Sequence, residues 1–573
     1  MGRLGLLCAA ASIALIGCET AAPPPSAPPP PPPPPAPAPV PQEAGQDRIV
    51  VTGSRLRRDG FTSTAPLGVI ASELIRDSGL IDQPQTPPGT RELDRETYED
   101  VDLNSVIAVS EAPVSTFSVD VDTASYSVAR RYLNDGLLPP RDAIRPEEII
   151  NYFDYAYALP EGLDAPFAAT TTVTDTPWNP HTQLIHIGIQ GFDIEPAERP
   201  AANLVFLMDV SGSMRSPDKL PLAIRSLRML LGEMSETDQV SIVVYAGAAG
   251  VVLEPTPMTE RARIEAALDS LSAGGSTAGG EGLRLAYAMA ERNFDPDAIN
   301  RVIMVTDGDF NVGITQDERL EDFVARKRET GIYLSVMGFG RGNYNDARMQ
   351  TIAQAGNGTA GYIDTLQEAR RLLVEEVGST LFPIANDVKI QVEFNPARVA
   401  EYRLIGYETR ALERADFNND EVDAGEIGSG HSVTAIYEIA SPDSAGLQLD
   451  PLRYGASQAA GDPSDELAFL RIRYKQPGED ESQLIEAPIT EAHTLDFDAA
   501  AQDTRFAIAA SGYAQLLRGD PFLSDFGFSD VVEIAQSARG DDPFGYRAEF
   551  IQLARMAETA AAQAPLNGSG RGE

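Results

Sequence analysis

Residues 203–213 read Asn-Leu-Val-Phe-Leu-Met-Asp-Val-Ser-Gly-Ser, an apolar run that ends in Asp209-x-Ser211-x-Ser213. Further on, residues 301–308 read Arg-Val-Ile-Met-Val-Thr-Asp-Gly and end the same way, in Asp307. Short, wholly apolar runs fit strands buried on both faces of a parallel sheet. Ligand sites in such sheets lie beyond the carboxyl ends of the strands, which is where both aspartates fall. Between them comes Gly274-Gly275-Ser276-Thr277, a glycine-rich loop with further hydroxyls. Two carboxylates and several hydroxyls form an all-oxygen donor set, suited to a hard cation such as magnesium.

This order of motifs resembles the von Willebrand factor type A domain and its metal-ion-dependent adhesion site. The resemblance implies a divalent cation, Mg2+ or else Mn2+ or Ca2+, at Asp209, Ser211, Ser213, Thr277 and Asp307, with one coordination position open to a partner's carboxylate. Ser276 is an alternative to Thr277 as ligand. Two segments before residue 200, Phe117–Tyr126 and Asn151–Tyr155, resemble the extra N-terminal domain of bacterial YfbK-type von Willebrand A lipoproteins. Two later ones, Asp416–Ile427 and Asp542–Phe550, resemble that group's C-terminal domain.

The 573 residues are 43% hydrophobic, ample for several domains, and carry a formal charge of -40. That charge argues against a nucleic-acid partner. It also disfavours acidic partners unless a cation bridges them. Residues 1–17 read as an export signal with Arg3 before a short apolar segment, too short to span a membrane. Leu15-Ile16-Gly17-Cys18 resembles a lipobox, which implies acylation of Cys18, a bacterial cell-envelope location and, with Glu19 following, the outer membrane. The only other cysteine, Cys8, lies inside the signal, so no disulfide or thiolate metal site is expected beyond it.

Residues 18–110 read as a Pro-rich and polar linker. Its segment 21–41 is almost all Pro and Ala and at about 3.1 Å per residue would hold the rest roughly 60 Å from the lipid. Residues 48–70 resemble the start of the plug of outer-membrane receptors; they fit either a strand added to such a partner or a plain tether with a basic cluster at Arg55, Arg57 and Arg58. Residues 111–200 form the N-terminal associated domain and 201–380 the type A domain. The β-rich and then helical C-terminal domain spans 381–562. Strand runs at 204–208, 240–245, 302–306 and 332–337 alternate with helical patterns at 219–234, 260–271, 281–292, 317–330, 346–355 and 366–378. The expected class is therefore α/β, a doubly wound parallel sheet. It is expected to be inserted in a β-rich α+β domain built from both flanks, because neither flank alone offers enough strands. Ser216-Pro217 reads as a helix N-cap followed by Pro at the first turn. Tyr126, Tyr152, Phe153, Tyr155 and Tyr157 read as packing.

Other chemistries fit less well. Asp416-x-Asn418-x-Asp420 suggests a calcium loop, but Glu421 and Ile427 stand where an EF-hand needs Gly and Glu; an Asx-stabilised turn in a hairpin is the expectation. Ser216-x-x-Lys219 lacks the partner motifs of a penicillin-binding nucleophile. His181, His186, His431 and His493 all lie outside the metal motif. No His, Lys or Cys is placed by motif to act as nucleophile or base. The reading is a membrane-anchored, metal-dependent protein-binding lipoprotein without catalytic activity; the alternative is a metal-dependent hydrolase using the same aspartates.

Overall fold

The computed structural model describes Glu96, Tyr98 and residues 102–563, apart from 120–121, 163–164, 196, 276–278, 309–316, 343–344, 451–463 and 480. The signal, Cys18, the Pro-rich segment, residues 48–70, Ser276 and Thr277 lie outside the described residues. No described helix is long and apolar enough to cross a membrane.

A six-stranded sheet carries the two aspartate strands, in the order Ala360–Ile363, Ile332–Phe339, Ile299–Thr306, Ala202–Asp209, Gln239–Tyr245, Ala249–Pro257. All neighbours are parallel except the last pair. Ala249–Pro257 adds one antiparallel edge strand to the expected doubly wound parallel sheet. The connection after Tyr245 closes with a bond from Ala246 N to Ala248 O, and a link that short can only reverse the chain, since parallel strands need a long crossover. Helices cover both faces. Leu220–Glu233 and Arg261–Asp269 seal one side around Phe206, Met208 and Ile303; Gly279–Arg292, Asp317–Arg328 and Asp346–Ala355 seal the other around Leu207, Val243 and Met304.

The flanks fold together, as expected. Strand Ser432–Ala440 pairs with Asn179–Gly191 along most of its length, and Val114–Ser118 pairs with Pro383–Phe394. One mixed sheet runs Ile107–Ala108, Glu401–Leu404, Ser432–Ala440, Asn179–Gly191, Phe167–Thr176, Thr494–Leu495. Another is built on Pro383–Phe394 with Val114–Ser118, Gly425–Gly428, Glu466–Lys475 and Ser482–Thr490. Their facing sides share one core that includes Ile187, Ile189, Val433, Tyr437, Ile390, Val392, Leu470 and Ile472. The first sheet's other face, through Leu184 and Ile436, meets the helices Gln502–Arg518, Phe528–Ser537 and Tyr546–Gln563. Alternation along Ser432–Ala440 thus serves two cores at once, as period-two side-chain placement allows.

The five aromatics pack as expected: Tyr126 and Tyr152 stack at 3.6 Å, and Phe153 meets Phe506 and Phe550 edge-on. Helix Ala124–Asn134 joins the two halves, with Ala124 and Val128 buried against the type A core and Tyr126, Ala129 and Leu133 against the helical cluster. Three further expectations need correction. The helical pattern 366–378 is not continuous: Leu366–Arg370 passes into a π turn at Arg371–Glu375 before Val377–Leu381. The segment 416–427 is not a hairpin tip, because Gly425–Gly428 pairs with Pro383–Phe394 while Glu401–Leu404 pairs with Ser432–Ala440. Finally, the first type A helix begins at Leu220, not at Pro217, and Ser216 does not cap it; its hydroxyl donates to Asp218 at 2.5 Å.

Candidate metal centre

Asp209 closes an eight-residue strand that is buried throughout. Its neighbour Ile299–Thr306 runs parallel, with Met208 level with Val305, so Asp209 and Asp307 leave the sheet side by side at its carboxyl edge. Neither has any solvent exposure. The Ser211 amide donates to Asp209 Oδ1 at 2.8 Å, and the hydroxyls of Ser211 and Ser213 lie 2.9 Å apart. Asp209 Oδ2 is buried and makes no hydrogen bond of ordinary geometry among the described residues. The loop that carries Ser276 and Thr277 is tied to this turn just before those residues: Gly274 N donates to Val210 O at 2.7 Å, and Gly212 N donates to Gly275 O at 3.0 Å. Gly275 has φ +93°, which suits glycine.

Burial pushes the Asp209 carboxyl up to about 6; the Ser211 hydrogen bonds oppose this, the charge of Asp307 adds to it, and Tyr245 opposes it. Two adjacent buried carboxylates cost free energy unless a cation or donors compensate them. Two buried carboxylates beside two serine hydroxyls are a donor set that a hard divalent cation fits. Among the described residues no group of three or more His, Cys, Asp or Glu side chains is arranged for a metal, so the hydroxyls are needed to complete a site.

One cation is already present. Lys219 Nζ lies 2.9 Å from Asp307 Oδ2, with the lysine side chain about nine-tenths buried and the aspartate fully so. The sequence motif did not mark this lysine. Lys219 sits just before helix Leu220–Glu233 with φ -115° and ψ -115°. Its aliphatic stem lies against Gly340, which follows strand Ile332–Phe339. Gly340 has φ +77°, and a Cβ there would overlap the stem. The missed signal was positional: Lys219 immediately precedes the helix that follows the metal turn, and a glycine follows the strand Ile332–Phe339.

The competing sites do not assemble. Lys389 Nζ donates to the carbonyl oxygens of Asp416 and Asn419, at 3.1 and 2.5 Å, and Arg473 pairs with Asp420 at 3.0 Å. The chain's own cations thus hold two backbone oxygens of this turn and the Asp420 carboxylate. His186 is sealed beneath Tyr157, its Nε2 3.0 Å from the phenol, and burial lowers its pKa to about 4. His493 Nδ1 accepts the Thr490 amide at 3.0 Å in a local cap.

A doubly wound sheet with Asp-x-Ser-x-Ser and a second aspartate at adjacent strand ends defines a von Willebrand factor type A domain, a class that commonly mediates metal-dependent protein interaction. Family models agree: one described as "von Willebrand factor type A domain" matches residues 203–374, one described as "von Willebrand factor" matches 92–186, and one described as "Uncharacterized protein YfbK, C-terminal" matches 379–560. Uncharacterized protein YfbK of Escherichia coli (strain K12) is 45% identical over 469 residues, 80% of this chain and 81% of that protein. The chain belongs to the YfbK family. It is also 28% identical over 169 residues to uncharacterized protein sll0103 of Synechocystis, covering 29% of this chain and 39% of that one. A solved von Willebrand factor type A protein from Catenulispora acidiphila aligns with TM-score 0.40 and 16% identity, over 70% of this chain and 91% of that one.

Proposed function

We propose that this protein is a lipid-anchored adhesion or scaffolding protein that binds a protein partner through a divalent cation, magnesium by preference, at Asp209, Ser211, Ser213, Thr277 and Asp307. The observation that carries the reading is the pair of fully buried aspartates at adjacent strand ends beside two hydroxyls that face each other. A bound cation would supply an open coordination position for a carboxylate of the partner.

Lys219 changes the charge count. Without it, two aspartates would cancel a divalent cation, and a partner's carboxylate would leave the site negative. With the Lys219 ammonium against Asp307, the loaded site carries one surplus positive charge, which an acidic side chain neutralises. A chain of charge -40 could then hold an acidic partner that it would otherwise repel.

Binding without turnover fits the contacts. The Ser211 and Ser213 hydroxyls lie against each other with no His or Cys beside them among the contacts they make to the described residues, and an ammonium held by a carboxylate is neither nucleophile nor base. Acylated Cys18 and the Pro-rich segment would display the domain away from the outer membrane, with residues 48–70 available to a receptor there. Crosslinking capture from envelope extracts tests the reading. A partner captured in magnesium should be lost in chelator and with Asp209→Ala. Equal capture in chelator, or magnesium-dependent turnover of generic phosphoesters or peptides, contradicts it and favours the hydrolase.

A further inference from the structure

We propose that Lys219 is a built-in cation that competes with the divalent metal for Asp307, so that the site is loaded and emptied rather than permanently filled. The inference rests on the metal-binding reading above and concerns how that site is regulated.

Three observations place Lys219 there by construction. Its ammonium reaches Asp307 Oδ2 at 2.9 Å in a buried pair. Its backbone leaves helical geometry immediately before Leu220, which starts the helix one residue later. Its stem is cradled by Gly340, where a Cβ would overlap it and where φ is +77°. The cradle is itself fixed: Gly340 O accepts the Tyr362 hydroxyl at 2.7 Å, and that hydroxyl accepts Arg131 at 2.7 Å. A long side chain loses considerable rotamer freedom on burial, so this enclosure holds the ammonium at the aspartate at little further entropic cost.

Two consequences follow from charge alone. In the metal-free protein Lys219 compensates Asp307, which would otherwise stand beside Asp209 as a second buried anion. When a divalent cation arrives, it meets a positive charge already at one of its ligands, and attraction and repulsion at such range are large in a buried site. Lys219 therefore stabilises the empty site and weakens the loaded one.

The test is calorimetric titration of Mn2+ into the full chain and into Lys219→Met, which keeps the apolar stem against Gly340, with thermal unfolding in chelator measured alongside. The proposal expects Lys219→Met to bind Mn2+ at least about tenfold more tightly. It also expects that variant to melt lower than wild type in chelator and to regain more on adding metal. Lys219→Arg, which keeps the charge, should bind metal nearly as wild type does; it decides the matter should Lys219→Met not fold, since tighter binding by Lys219→Arg would contradict competition by charge. Wild type that binds Mn2+ with Lys219→Met binding equally or more weakly overturns the proposal and leaves the metal reading standing. No Mn2+ binding by wild type overturns both.

Discussion

Arg130 and Glu368 meet at 2.8 Å with about 1% of either side chain exposed, although 238 residues separate them. Arg130 lies on the N-terminal flank and Glu368 in the type A domain. The same guanidinium also reaches Asp364, Tyr152 and, in the C-terminal helix, Glu549 at 3.1 Å. One arginine thus joins all three stretches of chain.

Replacing Arg130 by Met would take from the buried Asp364 its guanidinium partner and leave Glu368 to Arg371 and Tyr152, a loss on the order of 3–5 kcal/mol. Urea unfolding should show that loss, with the type A domain and its host no longer melting in one transition. A single transition with an unchanged midpoint would show that the two bodies are joined by other means. Arg130→Lys should rescue only in part, because an ammonium cannot copy the fork of contacts.

Gly340→Ala should destabilise the protein by at least about 1 kcal/mol, since alanine resists positive φ and its Cβ would displace the Lys219 stem. A thermal midpoint equal to wild type would show that the cradle adapts.

Burial pushes the Glu426 carboxyl up to about 8, with Asp423 and Asp387 adding to it and Arg301 and Arg328 opposing. The folded value is above the unfolded one, near about 4.3. The folded protein therefore holds the proton more tightly across that window. The associated stability is full below about pH 4.3 and lost as pH rises toward about 8. Glu426→Gln should accordingly lose less stability than wild type between about pH 5 and pH 8. Parallel pH profiles of the two proteins would contradict the assignment.

Cys18→Ser should release the protein from the membrane fraction, and intact mass should show acyl chains only on the wild type. Retention of the variant without acylation would remove the anchor from the account.

The type A domain was legible because buried parallel strands are written as unbroken apolar runs, such as Leu204–Met208 and Val302–Thr306, and because its donor residues sit at their ends. The flank sandwich was legible from strand count and from alternation such as that of Ala468, Leu470, Ile472 and Tyr474. Other features left no such trace. Ala360–Ile363 is too short to show a period. Ala249–Pro257 is an edge strand, half open to solvent and carrying Pro255, so its pattern is mixed. The π turn at Arg371–Glu375 is accompanied by a contact distant in sequence: Arg371 reaches Thr123 Oγ1 at 2.5 Å, 248 residues away. Lys219 was missed for a related reason. The motif names the residues that hold a metal, whereas a residue that opposes the metal is recognised only once Gly340 and Asp307 are seen on either side of it.

The most direct test of the account is calorimetric titration of Mg2+ into the full chain beside Asp209→Ala. The account predicts a saturable, one-site heat with wild type, none with the variant, and the same cooperative unfolding for both in chelator. Saturable binding of equal strength by Asp209→Ala, or none by wild type, would contradict it.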